Sequence, residues 1–176
     1  MRMTFWKRFW GPAQADSKSE LIPLYNQIVA KAREPHWYET GKVPDSIDGR
    51  FDMIATLFSL VLLRLEEDAT QAQNMAHLTE VLVDDMDGQL REVGIGDMIV
   101  GKHIGKIMGA VGGRINAFRI ALADNSQLDE AIARNVYRGE EVNSAAATHV
   151  RQGLLAVEQA LAGVTSNDLA TGNAAW

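Results

Sequence analysis

The stretch DSIDGRFDMIATLFSLVLLRLEE, residues 45–67, decides the fold class. Phe51, Ile54, Phe58, Leu62 and Leu65 recur at spacings of three and four and form one helical stripe, while Met53, Leu57 and Leu60 form a second on another side. A helix apolar nearly all round is either central in a core or keeps one stripe for a partner. Its longest uncharged apolar run, Met53 to Leu63, is well short of the ~18–20 residues that cross a bilayer as a helix. The element is therefore a buried or docking helix.

Outward from this segment the helical signal persists. Pro12, Pro23, Pro35 and Pro44 all precede it, so Asp45 to Trp176 holds no backbone barred from a helix interior. Upstream, Ser17 and Glu20 have capping-box spacing, and Leu24, Ile28 and Val29 give one face of a helix that stops before Pro35. His36 to Thr40 reads as a short helical turn closed by Gly41. Downstream, Leu78, Leu82, Met86 and Leu90 lie on a long helix from Thr70 to about Val93, ending at Gly94. Asp97 caps the next helix, which runs to about Ala123. Shorter helices follow through Leu128, Ile132 and Val136, and from Asn143 through Val150, Leu154 and Leu161. The expectation is an all-α fold, a single helical domain of about six to seven helices. Residues 1–18 read as a basic, aromatic N-terminal segment, 19–162 as the helical domain and 163–176 as a C-terminal tail.

Length and composition set the function classes. A chain of 176 residues is one domain's worth and buries enough surface to need no disulfide or structural metal. The absence of cysteine removes disulfide scaffolds, iron–sulfur clusters, Cys-ligated zinc and thiol catalysis. A net charge of −6 repels phosphate backbones, so no nucleic-acid partner is expected. Hydrophobic residues at 47% exclude a disordered chain. In Met1 to Trp10, Phe5, Trp6, Phe9 and Trp10 are interleaved with Lys7 and Arg8. The segment lacks the apolar stretch of a signal peptide and the Arg/Ser richness of a transit peptide. Two readings stand: a frayed start with Trp packed on the body, or an interfacial anchor whose indoles enter the headgroup layer.

Several catalytic and ligand motifs fail on chemistry. Gly96 to Lys102 matches the first seven positions of a phosphate-binding loop. His103 follows where a magnesium-binding hydroxyl is required, Asp97 repels phosphate, and no hydrophobic strand precedes Gly96. Asp85-Met86-Asp87-Gly88 lacks the first and last ligands of a calcium loop. His36, His77, His103 and His149 show no local metal-ligand spacing, and there is no Gly-x-Ser-x-Gly elbow. No catalytic residue, cofactor or metal is therefore expected. Gly101, Gly105, Gly109 and Gly112 or Gly113 recur along one helical face. Each costs up to ~1 kcal/mol against Ala, which is sensible if another helix crosses there closely, with a docking groove for a foreign helix as the second reading. Lys102, Lys106 and Arg114 lie on the other side of that helix.

The block DDMDGQLREVGIGDMIVGK, residues 84–102, resembles the ubiquinol-cytochrome c chaperone family, whose mitochondrial members help assemble ubiquinol-cytochrome c reductase. Further blocks follow in order: residues 24–53, Arg64-Leu65 and Gly113-Arg114. The similarity runs from about Leu21 to Tyr137. It implies a non-catalytic protein that binds newly made cytochrome b, or another membrane-protein client, with a second assembly factor as a further partner. A bacterial member would work in the cytoplasm, peripheral at the inner membrane, without a transit peptide. The chain departs from the family at Leu57, where a histidine is expected, at Leu82-Val83, which replace a Phe pair, and at Val111-Gly112, which replace an aromatic pair. Those departures put a histidine-borne contact in doubt.

Within the block the residues divide. Asp85 belongs to the motif, Asp87 and Arg91 pair across one helical turn, Gly94 and Gly96 permit the turn, Asp97 caps and Gly101 packs closely, so these are architectural. Met53, Leu57, Leu60, Lys102, Lys106 and Arg114 are the candidate partner-binding residues. Two other classes remain open: a helical carrier for a lipid, quinone or tetrapyrrole, with the glycine groove lining its cavity, and an unrecognised enzyme.

Overall fold

The computed structural model describes residues 17–92, 97–124 and 126–176. Among them the fold is all-α, with no strand. The helices are α1 (Ile22–Ala32), α2 (Pro35–Glu39), α3 (Ile47–Glu66), α4 (Ala72–Glu92), α5 (Asp97–Asp124), α6 (Leu128–Asn135), α7 (Ser144–Ala162) and α8 (Ser166–Ala170), with a 3-10 turn at Ala69–Gln71. The aromatic segment Phe5 to Trp10, Gly94 and Gly96 lie outside the described residues, as does the side chain of Asp97.

Local chemistry sets most boundaries. Ser46 begins α3 by accepting from the Gly49 N–H at 3.1 Å, and Asn143 begins α7 by accepting from the Ala146 N–H at 2.9 Å. The Ser17–Glu20 spacing does not begin α1. That helix begins at Ile22 without a side-chain cap and carries Pro23 in its first turn, where a missing N–H is harmless.

α3 is the axis of the fold. It packs against α1, α4, α5, α7 and α8, most extensively against α5. Both of its apolar stripes are consumed by this: Met53 and Leu57 are 0% exposed and Leu60 3%. The stripe expected to await a partner is therefore core, because neighbours cover the helix on every side.

The C-terminal stretch is also more than a tail. Thr165 caps α8, Leu169 is fully buried, and Ser166 Oγ donates to Asp68 at 2.6 Å. Beyond α8, Gly172 takes a positive φ of 66° and presses against Pro23 and Leu24 so closely that a Cβ would sit 2.7 Å from Pro23 Cβ. The Trp176 indole N–H donates to Gln27 at 3.1 Å, and Gln27 donates to the Gly172 carbonyl at 2.7 Å. The chain end thereby straps α1 to the body.

Candidate functional site

The residues singled out from the sequence separate into an inner and an outer set on α5. Its inner face is anchored by Val111, Phe118 and Ala121, all buried, and by Arg114. Arg114 is only 7% exposed and donates to Asp52 of α3, which is fully buried. Arg138 reaches the same carboxylate with a 2.5 Å contact from Nε and meets Asp48 at 2.9 Å. Burial pushes the Arg114 guanidinium pKa down while Asp52 pulls it up; arginine stays charged through such shifts. Arg114 is thus a core cation, not a partner-facing one. It lies on the buried side of α5, one turn from Val111 and Phe118, and meets Asp52 of α3 there.

The acid was legible in principle. Asp52 stands between Phe51 and Met53 at the head of the apolar run, and a carboxylate buried there must be paired. Its partners, 62 and 86 residues away, were not.

The outer set lies at the far end of α4 and the first half of α5. Asp85 accepts from the Tyr25 hydroxyl at 2.6 Å and from Gln89 at 3.1 Å, which fixes α4 on α1. Burial, with Asp85 beside it, pushes the Tyr25 hydroxyl well above its ordinary pKa. Asp87 and Arg91 form the expected pair at 2.7 Å. Beyond Met86, none of the described side chains from Asp87 to Ala110 is buried. Ile104 and Ile107 are half-buried against the body, and Lys102 and Lys106 are exposed.

The glycine stripe differs from the expected tight crossing. Among the described residues, a Cβ built on Gly101, Gly105, Gly109, Gly112 or Gly113 meets nothing within 4 Å. The stripe therefore faces outward. The reason lies in α5 itself, whose larger side chains, Val111, Ile115 and Phe118, occupy the core side and leave the small residues opposite. The stripe runs toward a cleft of about 300 Å³ between α5 and α6, floored by Ala117, Ile120 and Ala131 and rimmed by Glu130 and Arg134. It does not enclose a cavity, the feature on which the carrier reading depends.

Among the described residues no group of three or more His, Asp or Glu side chains is placed to hold a metal. Among the described residues, too, no helix is long and apolar enough to cross a membrane.

Comparison with known proteins bears on the family and the fold. The sequence model of the family described as "Ubiquinol-cytochrome C chaperone" matches residues 39–176, reaching past Tyr137 to the end of the chain and including the strap of α8. The crystal structure of the Cbp3 homolog from Brucella abortus is similar to this fold with a TM-score of 0.77, at 28% sequence identity, covering 93% of this chain and 92% of that one. No curated protein matches the sequence.

Proposed function

The chain belongs to the ubiquinol-cytochrome c chaperone family, and from that premise we propose that it is a non-catalytic assembly factor that receives newly made cytochrome b and holds it for assembly of ubiquinol-cytochrome c reductase. The observation that carries this reading is where the described residues of the 84–102 block lie. Asp85 and Met86 tie it to the core, and its other described side chains, from Asp87 to Lys102, are not buried. Residues of that kind need another reason to carry a distinctive pattern, and contact with a partner supplies one.

The chemistry of the surface fits a segment of a membrane protein. Open glycines let a foreign helix approach the α5 backbone closely, as small residues do where helices cross in membranes. Exposed Lys102 and Lys106 suit the phosphate headgroups or acidic residues beside such a segment. Work at the membrane surface follows from the client, with a second assembly factor as a further partner.

The test has two parts. In a strain lacking the protein, b-type haem absorbance and assembled reductase fall while the cytochrome b messenger stays level; normal haem spectra overturn the proposal. With the protein restored as the Lys102→Glu, Lys106→Glu variant, folding is unchanged and capture of cytochrome b from membranes drops. Capture equal to the parent's removes these lysines from the contact.

A further inference from the structure

We propose that His36 and His149 form a binding site for one imidazole-preferring divalent transition ion, Zn²⁺, Ni²⁺ or Cu²⁺, with Glu34 as the positioning residue behind His36. The two histidines are 113 residues apart in sequence, and His36 Nδ1 lies 3.0 Å from His149 Nε2. Their rings cross at 75° with centroids 5.1 Å apart, so neither ring blocks the space before the other's nitrogen. Imidazole nitrogens bind such ions at ~2.0–2.1 Å, so two of them in neighbouring positions on one ion stand about 2.9–3.4 Å apart. The pair already has that separation, and because the two nitrogens are hydrogen-bonded to each other, both rings turn on binding until their lone pairs meet at the ion.

Glu34 supplies the second argument. Its Oε2 lies 3.0 Å from His36 Nε2, and its other oxygen is 3.5 Å from Lys31 Nζ. The carboxylate therefore accepts from His36 Nε2–H, which leaves the Nδ1 lone pair pointing at His149. A carboxylate behind a ligating histidine fixes the tautomer, orients the ring and raises its donor strength. Without an ion, His149 Nε2–H donates to Nδ1. When the ion enters, that proton passes to His149 Nδ1, so both rings ligate while neutral and no proton is gained or lost overall.

The packing beneath brings the two helices that carry the rings together. Trp37, the neighbour of His36, is buried with its indole N–H donated to the Lys31 carbonyl at 2.8 Å. Its ring lies on α7 over Gly153, one turn from His149, where a Cβ would come within 2.6 Å of the indole. One contact thus registers α2 on α7 and sets the distance between the imidazoles. The His36 side chain keeps 37% of its surface exposed, which gives an ion entry and lets water complete its shell. Nitrogen donors with water select Zn²⁺, Ni²⁺ and Cu²⁺ over Mg²⁺ and Ca²⁺. The site is separate from the outer face of α5, and its test is independent of the chaperone reading.

The experiment uses the full chain stripped with chelator. Titration with ZnCl₂ followed by calorimetry gives one binding event per chain. With one equivalent of CuCl₂, electron paramagnetic resonance shows coupling to two imidazole nitrogens, and tryptophan fluorescence falls because Trp37 lies 4.2 Å from His36 between ring centroids. His36→Gln and His149→Gln each abolish the event, Glu34→Gln weakens it about 10–100-fold, and His77→Gln and His103→Gln leave it unchanged. Absence of stoichiometric binding by the parent overturns the proposal, as does binding that survives in both His36→Gln and His149→Gln. If either variant fails to fold by circular dichroism, the nitrogen count in the parent's copper spectrum decides: two supports the pair, and one or none overturns it.

Discussion

Asp52→Asn removes the charge that holds Arg114 inside the protein while keeping the shape of the side chain. Asp52 is fully buried and accepts from both Arg114 and Arg138. After the substitution Arg114, itself 7% exposed, faces a neutral amide, and its Nε has no hydrogen-bond partner to begin with. Breaking one side of a buried ion pair costs about 3–5 kcal/mol, because the remaining charge is left desolvated. The Arg138 contact adds at most ~1 kcal/mol, since that side chain is 48% exposed and water screens it. In a chain of this size each kcal/mol moves the melting temperature by ~2–4 °C, so the expected fall is about 6–24 °C. Arginine cannot escape by deprotonating, so no choice of working pH rescues the variant. Urea unfolding followed by far-ultraviolet circular dichroism measures the loss. A paired control separates charge from packing: Asp52→Leu with Arg114→Met replaces the ion pair by apolar groups and recovers most of the stability. The reasoning is refuted if Asp52→Asn stays within ~1 kcal/mol of the parent, or if the double variant is as unstable as the single one.

Other outcomes follow from the same structure. Gly153→Ala forces a methyl against the buried Trp37 ring, where the Cβ distance of 2.6 Å leaves no room; it lowers stability by about 1–3 kcal/mol, and an unchanged urea midpoint counts against the packing described. Gly105→Ala acts in the opposite direction, because its Cβ meets only open space on an exposed helix face; it raises stability by ~0.5–1 kcal/mol, and a fall in melting temperature would restore the tight crossing expected from the sequence. Asp68 accepts from the Ser166 and Thr70 hydroxyls and the Thr70 N–H, which hold its carboxyl down at about 2. A depressed carboxylate stabilises the fold above its unfolded value of ~3.9 and loses that contribution as pH falls through the folded value. The latch of α8 therefore weakens between about pH 4 and pH 2, and Asp68→Asn flattens the stability profile across that window. An identical pH profile for the parent and Asp68→Asn removes Asp68 from the acid response.

Helix formation was legible along the chain because it depends on near neighbours. The confinement of proline to the first quarter, the three-and-four spacing from Phe51 to Leu65 and the cap at Asn143 each act within a turn or two, and each appears where local chemistry puts it. The pairing of Asp87 with Arg91 was readable for the same reason, since helix geometry alone sets a spacing of four. The resemblance of the 84–102 block identified the family, which the family match and the structural similarity bear out.

What lay beyond the sequence was the direction each helix faces and which distant segments meet. Periodicity shows that Met53 and Leu57 share a stripe, but not that neighbouring helices cover it; only the assembled bundle buries them. It lines up Gly101, Gly105 and Gly109, yet whether that line packs or stays open depends on which side of α5 carries the larger side chains toward α3. Lys102, Lys106 and Arg114 read alike as cations on one helix. The structure leaves the lysines outside and draws Arg114 inward, because a carboxylate on another helix waits at that level. The C-terminal stretch looked like a tail because its helix is too short for a periodic signal, and its burial comes from α3 and the 3-10 turn, with Gly172 closing against α1. His36 and His149 have no local spacing to announce them; they meet because the Trp37 ring fits over the one position on α7 that has no side chain.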